Sequence, residues 1–122
     1  MVSGVFFENI PFIRVAIGWG KAVQTPHVVL DTGFTGDLQV TPAMAVELGL
    51  EVTGVTRARI ANGDTVNVQT ALAIAGMEGA TNYIQVFISN GAPLAGIGFL
   101  TKFGYRATLD CKYRTVKLER AA

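Results

Sequence analysis

Val28-Val29-Leu30-Asp31-Thr32-Gly33-Phe34-Thr35-Gly36 sets a carboxylate directly behind an apolar strand and then turns the chain through two glycines. A charge at the end of a buried strand loses solvation, so it must be hydrogen-bonded, paired, or able to share a proton with a neighbour. Gly33 lets backbone amides approach the Asp31 carboxylate, and the Thr32 hydroxyl can brace the loop. On these three residues alone, an Asx-type turn that caps a strand accounts for the pattern equally well. The flanking chain decides between the two readings.

Immediately downstream, Thr41 as N-cap, Pro42 at the first helical position and Gly49 as a stop delimit one short helix. A second helix is expected over Gly98 to Phe103, with Phe99, Leu100 and Phe103 close to one face and Gly104 ending it. Nearly everything else reads as short β-branched and aromatic runs broken by Gly, Pro, Asn or Asp, the pattern of an antiparallel β domain. Expected strands are Phe12 to Ile17, Ala22 to Leu30, Leu38 to Val40, Tyr83 to Ile88, Tyr105 to Cys111 and Thr115 to Leu118. Two more, Val52 to Ile60 and Thr65 to Ile74, flank Ala61-Asn62-Gly63-Asp64, where Asn-Gly is a strong hairpin signal because both residues tolerate positive φ.

Composition narrows the functional classes. At 122 residues, half of them apolar, the chain can bury one core and is too short for two, so a single domain over residues 1–122 is expected. Ten basic and nine acidic residues give a net charge of +1, well mixed, with no electrostatic footprint for nucleic acid or an anionic membrane. Cys111 has no partner for an internal disulfide and reads as a buried small hydrophobe, and no cysteine and histidine cluster exists to hold a metal. The N-terminus lacks the basic start and sustained apolar stretch of a secretory signal, and no apolar run is long enough to span a bilayer. A cytoplasmic protein is the expectation. Gly18-Trp19-Gly20 has neither the spacing nor the flanking elements of a dinucleotide fingerprint, so no cofactor is expected.

The order Asp-Thr-Gly, hairpin with a glycine tip, then Leu94-Ala95-Gly96-Ile97-Gly98-Phe99-Leu100 running into a helix resembles the retroviral-type aspartic peptidases over nearly the whole chain. It is most similar to the small prokaryotic proteins of that clan whose motif reads Asp-Thr-Gly-Phe, matched by Asp31-Thr32-Gly33-Phe34 and by the helix ending Glu47-Leu48-Gly49-Leu50. The strand Arg106-Ala107-Thr108-Leu109-Asp110 also resembles the one that commonly follows in these proteins. The resemblance implies a mainly β, retropepsin-like acid protease fold, a closed β-barrel with one or two short helices. It implies Asp31 as the catalytic carboxylate, Thr32 interlocking two active-site loops, and Gly33 keeping the loop open. Phe34, the flap tip Ala61, Asn62, Gly63 and Asp64, and the segment Leu94, Ala95 and Gly96 would then meet a polypeptide substrate.

The chemistry of that class needs two carboxylates sharing one proton, one acting as base toward water and the other donating to the scissile carbonyl. This chain carries one such motif, so the resemblance implies a homodimer with Asp31 of each copy on a two-fold axis. By the same analogy Val2 to Phe7 and Thr115 to Leu118 would add strands to the interface. Phe34 departs from the alanine or serine of many active peptidases, and Gly98 replaces a residue that is often acidic or polar. A dimeric module that binds peptides without cleaving them, or a plain β-barrel interaction domain with a chance Asp-Thr-Gly, are the competing readings.

Other polar residues read more plainly. His27 lies four strand steps from Asp31, roughly 13 Å on the same face, and is expected to be exposed or locally bonded. Asp37 is expected to serve in hydrogen bonding or at an interface, and neither Asp64 at a hairpin tip nor Asp110 at the end of a late strand carries a distinct mechanistic signal.

Overall fold

The computed structural model describes residues 1–60 and 62–122. Strands β1 (Val2–Phe7), β2 (Ile10–Arg14), β3 (Ala16–Trp19), β4 (Ala22–Gln24), β5 (His27–Leu30) and β6 (Leu38–Val40) lead into helix α1 (Pro42–Leu48). Then come β7 (Val52–Arg59), β8 (Thr65–Met77), β9 (Ala80–Ile88), β10 (Leu94–Ala95), helix α2 (Ile97–Phe103), β11 (Tyr105–Asp110) and β12 (Thr115–Arg120). The local signals act as expected. Thr41 Oγ1 accepts from the Met44 amide at 3.2 Å, and Gly49 closes α1 at φ 69°. Gly104 closes α2 in the same left-handed conformation, at φ 66°.

Two expected strands are each divided. Phe12 to Ile17 becomes β2 and β3, and Ala22 to Leu30 becomes β4 and β5. Pro26 has no N–H for a ladder. Its carbonyl instead accepts from the Val15 amide at 3.1 Å, so both strands break at the same level. The chain therefore turns from one arm of the sheet into the other at the buried Val15. Ile13, Val28, Leu30 and Leu118 from one arm meet Ile17, Ala73, Ala75 and Ile84 from the other in one buried cluster, joined by Phe99 of α2.

The sheet order is β11-β12-β1-β2-β5-β10-β6-β9-β8-β3-β4, with β7 added to β8. This path has two ends, so among the described residues the ladder does not close on itself. The closed barrel of the sequence reading gives way to a sheet with free edges.

The chain ends also differ from expectation. β12 lies between β11 and β1, with Thr115 to Leu118 bonded on both sides, and Val5 of β1 pairs with both Thr115 and Phe12. β12 is thus filled on both sides and cannot accept a strand from a second chain, whereas Val2 to Gly4 of β1 pair with β12 alone. Cys111, expected in the core, is exposed. It falls in the hairpin turn after β11, where Asp110 Oδ1 accepts the Lys112 and Tyr113 amides at 3.0 and 2.9 Å and the alternation of the strand has ended.

Candidate active site

Asp31 is the first residue past β5, and its backbone is held by a strand the sequence did not announce. β10 inserts between β5 and β6, parallel to the first (Leu94 opposite Val29, Ala95 opposite Leu30) and antiparallel to the second (Leu94 opposite Gln39, Ala95 opposite Leu38). The loop that follows Asp31 is then laced to the segment that follows β10. Asp31 N donates to Ala95 O at 2.9 Å, Gly96 N to Asp37 O at 3.0 Å, Ile97 N to Phe34 O at 2.9 Å and Gly98 N to Gly36 O at 3.1 Å. Two short segments distant in the chain thus become one rigid unit.

Within that unit Asp31 is half-buried as a residue, and its Oδ1 accepts the Gly33 amide at 2.9 Å. Val28 and Leu30 point into the core, so Val29 and Asp31 share the opposite face. Register places Phe12 of β2 and Leu94 of β10 beside Val29, and Val5 beside Phe12. Asp31 therefore sits beside a partly exposed apolar row, two residues past Val29 on the same face. His27 occupies the same face at the exposed far end of β5 and faces Arg14 across the ladder, away from the carboxylate, as the strand spacing implied.

Three glycines explain how the loops come so close. A Cβ on Gly36 would stand 2.5 Å from Phe34 Cζ. One on Gly96 would meet Phe34 O, Gly36 O at 2.5 Å and Phe34 Cδ2 at 2.7 Å, and one on Gly98 would strike Asp37 Oδ1. Phe34 folds its ring over Gly36 and Gly96 and meets Phe87 edge-on, centroids 5.2 Å apart. Gly98, a departure from the family pattern, is thus a steric requirement of this loop pair.

Asp37 is buried, and its Oδ2 accepts from Lys102 Nζ at 2.7 Å and from the Gln85 amide at 2.9 Å. Lys102 also donates to Tyr83 O at 3.0 Å. Sequence reasoning identified Asp37 as a hydrogen-bonding residue and missed Lys102. A buried acid demands a cation, yet nothing local names a lysine 65 positions away.

The structure brings together Asp31, Thr32, Gly33, Phe34, Leu94, Ala95 and Gly96. Ala95 corrects one expectation: its side chain is fully buried in the core, so it serves the site through its carbonyl and not by facing a ligand. Asn62, Gly63 and Asp64 stand at the tip of the β7–β8 hairpin, Asn62 and Asp64 bonded to each other and the Gly63 amide donating to Ile60 O at 2.9 Å. Asn62 Oδ1 accepts the Asp64 amide at 2.9 Å, and Gly63 adopts φ 90°. Ala61, also expected at this tip, lies outside the described residues.

An Asp-Thr-Gly loop laced to an apolar-Gly segment ahead of a helix, with a long hairpin between them in sequence, defines the fold of the retropepsin-like aspartic proteases. Solved structures bear this out. The EIAV protease complexed with the inhibitor HBY-793 is similar over 84% of this chain and 96% of its own, at 19% identity and a TM-score of 0.65. A retropepsin-like aspartic protease from Rickettsia conorii is similar over 100% of this chain and 90% of its own, at 20% identity and a TM-score of 0.64. No protein-family model and no curated protein matches the chain.

Proposed function

We propose that the protein is a homodimeric aspartic endopeptidase, each chain one 122-residue domain that supplies a single catalytic carboxylate. The observation that carries this reading is the Asp31 carboxylate, steadied by the Gly33 amide beside an apolar row. Two carboxylates brought within hydrogen-bonding distance cannot both ionise, so Asp31 and the partner's Asp31 share one proton. The ionised one takes a proton from a water, which attacks the scissile carbonyl carbon. The protonated one donates to the carbonyl oxygen, giving a neutral tetrahedral adduct that breaks at the C–N bond once the nitrogen is protonated.

Around that chemistry, Thr32 interlocks the two loops and Gly33 leaves the carboxylate open to substrate. Val29, Phe34, Leu94 and the backbone at Gly96 favour an apolar stretch of polypeptide beside the scissile bond, and the tip formed by Ala61, Asn62, Gly63 and Asp64 closes over it. The lone cysteine fits a reducing, cytoplasmic setting.

The test compares wild type with Asp31→Asn on a peptide library at acidic and neutral pH. Cleavage by wild type, lost by about 10²- to 10⁴-fold or more in the variant, supports the reading. Equal cleavage by both, or none by either in a dimeric sample, overturns it. A second reading, a dimeric peptide-binding module without turnover, is favoured by Phe34, whose ring fills the space over Gly36 and Gly96 in the loop that follows Asp31. It predicts peptide binding that Asp31→Asn leaves intact and no cleavage by wild type.

A further inference from the structure

The sheet face that carries Asp31 is organised in three levels across β1, β2 and β5. Phe7 pairs with Ile10, and continuing the β2–β5 register, in which Phe12 faces Val29, sets that pair level with Asp31. The second level is Val5, Phe12 and Val29, and the third is Arg14 opposite His27. These side chains point away from the core, since Ile13 and Val28 between them are fully buried. A groove of about 250 Å³, lined by Val5, Phe7, Phe12 and His27, runs across the three levels.

The groove is apolar toward Asp31 and basic at its far end. Phe7 is 65% exposed and Val5 52%, an uncovered apolar surface of the kind that marks a binding site. It is smaller than the roughly 300–1,000 Å³ of small-molecule sites, so it suits side chains of an extended polypeptide better than an enclosed metabolite. Arg14 and His27 are exposed, and neither has a carboxylate partner among the described residues. Arg14 is nonetheless held in place. Its Nε donates to Thr25 O at 3.3 Å and its Nη2 to Thr25 Oγ1 at 3.4 Å, which fixes the guanidinium and leaves its other N–H groups for a ligand.

We propose that Arg14 and His27 form a distal specificity site that selects an acidic residue in the polypeptide substrate. The link to cleavage rests on the peptidase reading above, whereas the binding surface is carried by these side chains themselves. An extended chain advances about 3.3 Å per residue and sets alternate side chains on one face. A substrate laid along this face from Asp31 therefore places one side chain against Phe12 and Val29, and the next on the same face against Arg14 and His27. The four strand steps between Asp31 and His27, roughly 13 Å, put the acid about four residues from the scissile bond. The selected pattern is an apolar and an acidic residue two positions apart. Arg14 brings a permanent charge, and the His27 ring offers at least one N–H in either protonation state.

The experiment is digestion of a degenerate peptide library by wild type and by the double variant Arg14→Glu, His27→Glu, with sequencing of the products. Wild-type products should carry Asp or Glu about four residues from the cleaved bond on one side, enriched about threefold to tenfold, as an exposed charge pair allows. The double variant should select Lys or Arg at the same place, a switch that a merely structural role for the pair would not produce. If the reversed pair does not fold, Arg14→Gln with His27→Gln takes its place and should abolish the enrichment. Wild-type cleavage without acidic enrichment, or an enrichment that survives in the variants, overturns the proposal.

Affinity selection of the same library on immobilised Asp31→Asn protein reads the face without cleavage. Bound peptides should be rich in the apolar and acidic pair, and Asp31→Asn protein that also carries Arg14→Gln and His27→Gln should not select it. No such selection overturns the proposal. Selection of the pair by a protein whose wild type cleaves nothing would refute the proposed function and leave this site standing. Cleavage that ignores acidic residues would do the reverse.

Discussion

Lys102 Nζ lies 2.7 Å from Asp37 Oδ2, pinning helix α2 to the loop that begins at Asp31. The Asp37 side chain is 11% exposed and that of Lys102 41%, so the acid is desolvated while water still reaches the amine. The carboxylate also fixes the Gln85 amide of β9. One ion pair thereby joins the site loop, the second helix and the central sheet.

Lys102→Met is therefore expected to leave Asp37 charged, buried and held by a single amide. Because solvent reaches the pair, the cost should lie below that of a fully buried one, at about 1–3 kcal/mol. Urea unfolding checks the value. Lys102→Arg, which keeps the charge, should recover most of the loss, and a Lys102→Met protein as stable as wild type would show that the pair holds nothing together.

Gly96→Ala and Gly98→Ala place a methyl group against backbone and carboxylate atoms of the Asp31 loop, where little can give way. Each should destabilise by about 1–3 kcal/mol. Gly18→Ala, whose new Cβ would meet Ala22 O at an ordinary 3.5 Å, serves as the control and should cost about 1 kcal/mol or less. Thermal unfolding of the three variants ranks them, and equal costs would refute the steric account.

Tyr105 stacks on Phe103, and its hydroxyl donates to Glu78 Oε1 at 2.7 Å. Burial, followed by the bond to that carboxylate, pushes the phenol up to about 12. A group whose pKa is raised on folding contributes stability that is full below its unfolded value, about 10, and is lost as pH climbs through the folded value. The window is thus pH 10 to 12. The difference between the ultraviolet titrations of wild type and Tyr105→Phe should isolate one phenol ionising near 12, and a step near 10 would contradict the packing.

Cys111, exposed in the turn after β11, should react with a thiol reagent in the native protein to one equivalent. No urea should be needed. A thiol that reacts only after unfolding would restore the buried reading and displace the β11–β12 turn.

Legibility tracked sequence distance. Thr41, Pro42 and Gly49 bounded α1, and Asn62-Gly63 marked its hairpin, because a cap or a turn is built from neighbours a few residues apart. The position of Asp31 after an apolar strand was equally plain. The divided strands around Val15 and Pro26 were not, although Pro26 was the visible clue. A proline says that the ladder is interrupted, but not that a valine eleven residues earlier breaks opposite it.

Asp31, its glycine-rich loop and the short elements around it were determined by the sequence itself, since steric preference, capping and alternation act within a few residues. What surrounds Asp31 was decided only in three dimensions. Leu94 and Ala95 lie between β5 and β6, Lys102 reaches Asp37, Phe34 rests on Gly36 and Gly96, and β12 fills the edge that leaves β11 open. Each of these joins residues distant in the chain or different sheet edges. Their pairing depends on register and on which hydrogen-bonding edges remain unfilled, quantities that exist only once the whole sheet is assembled.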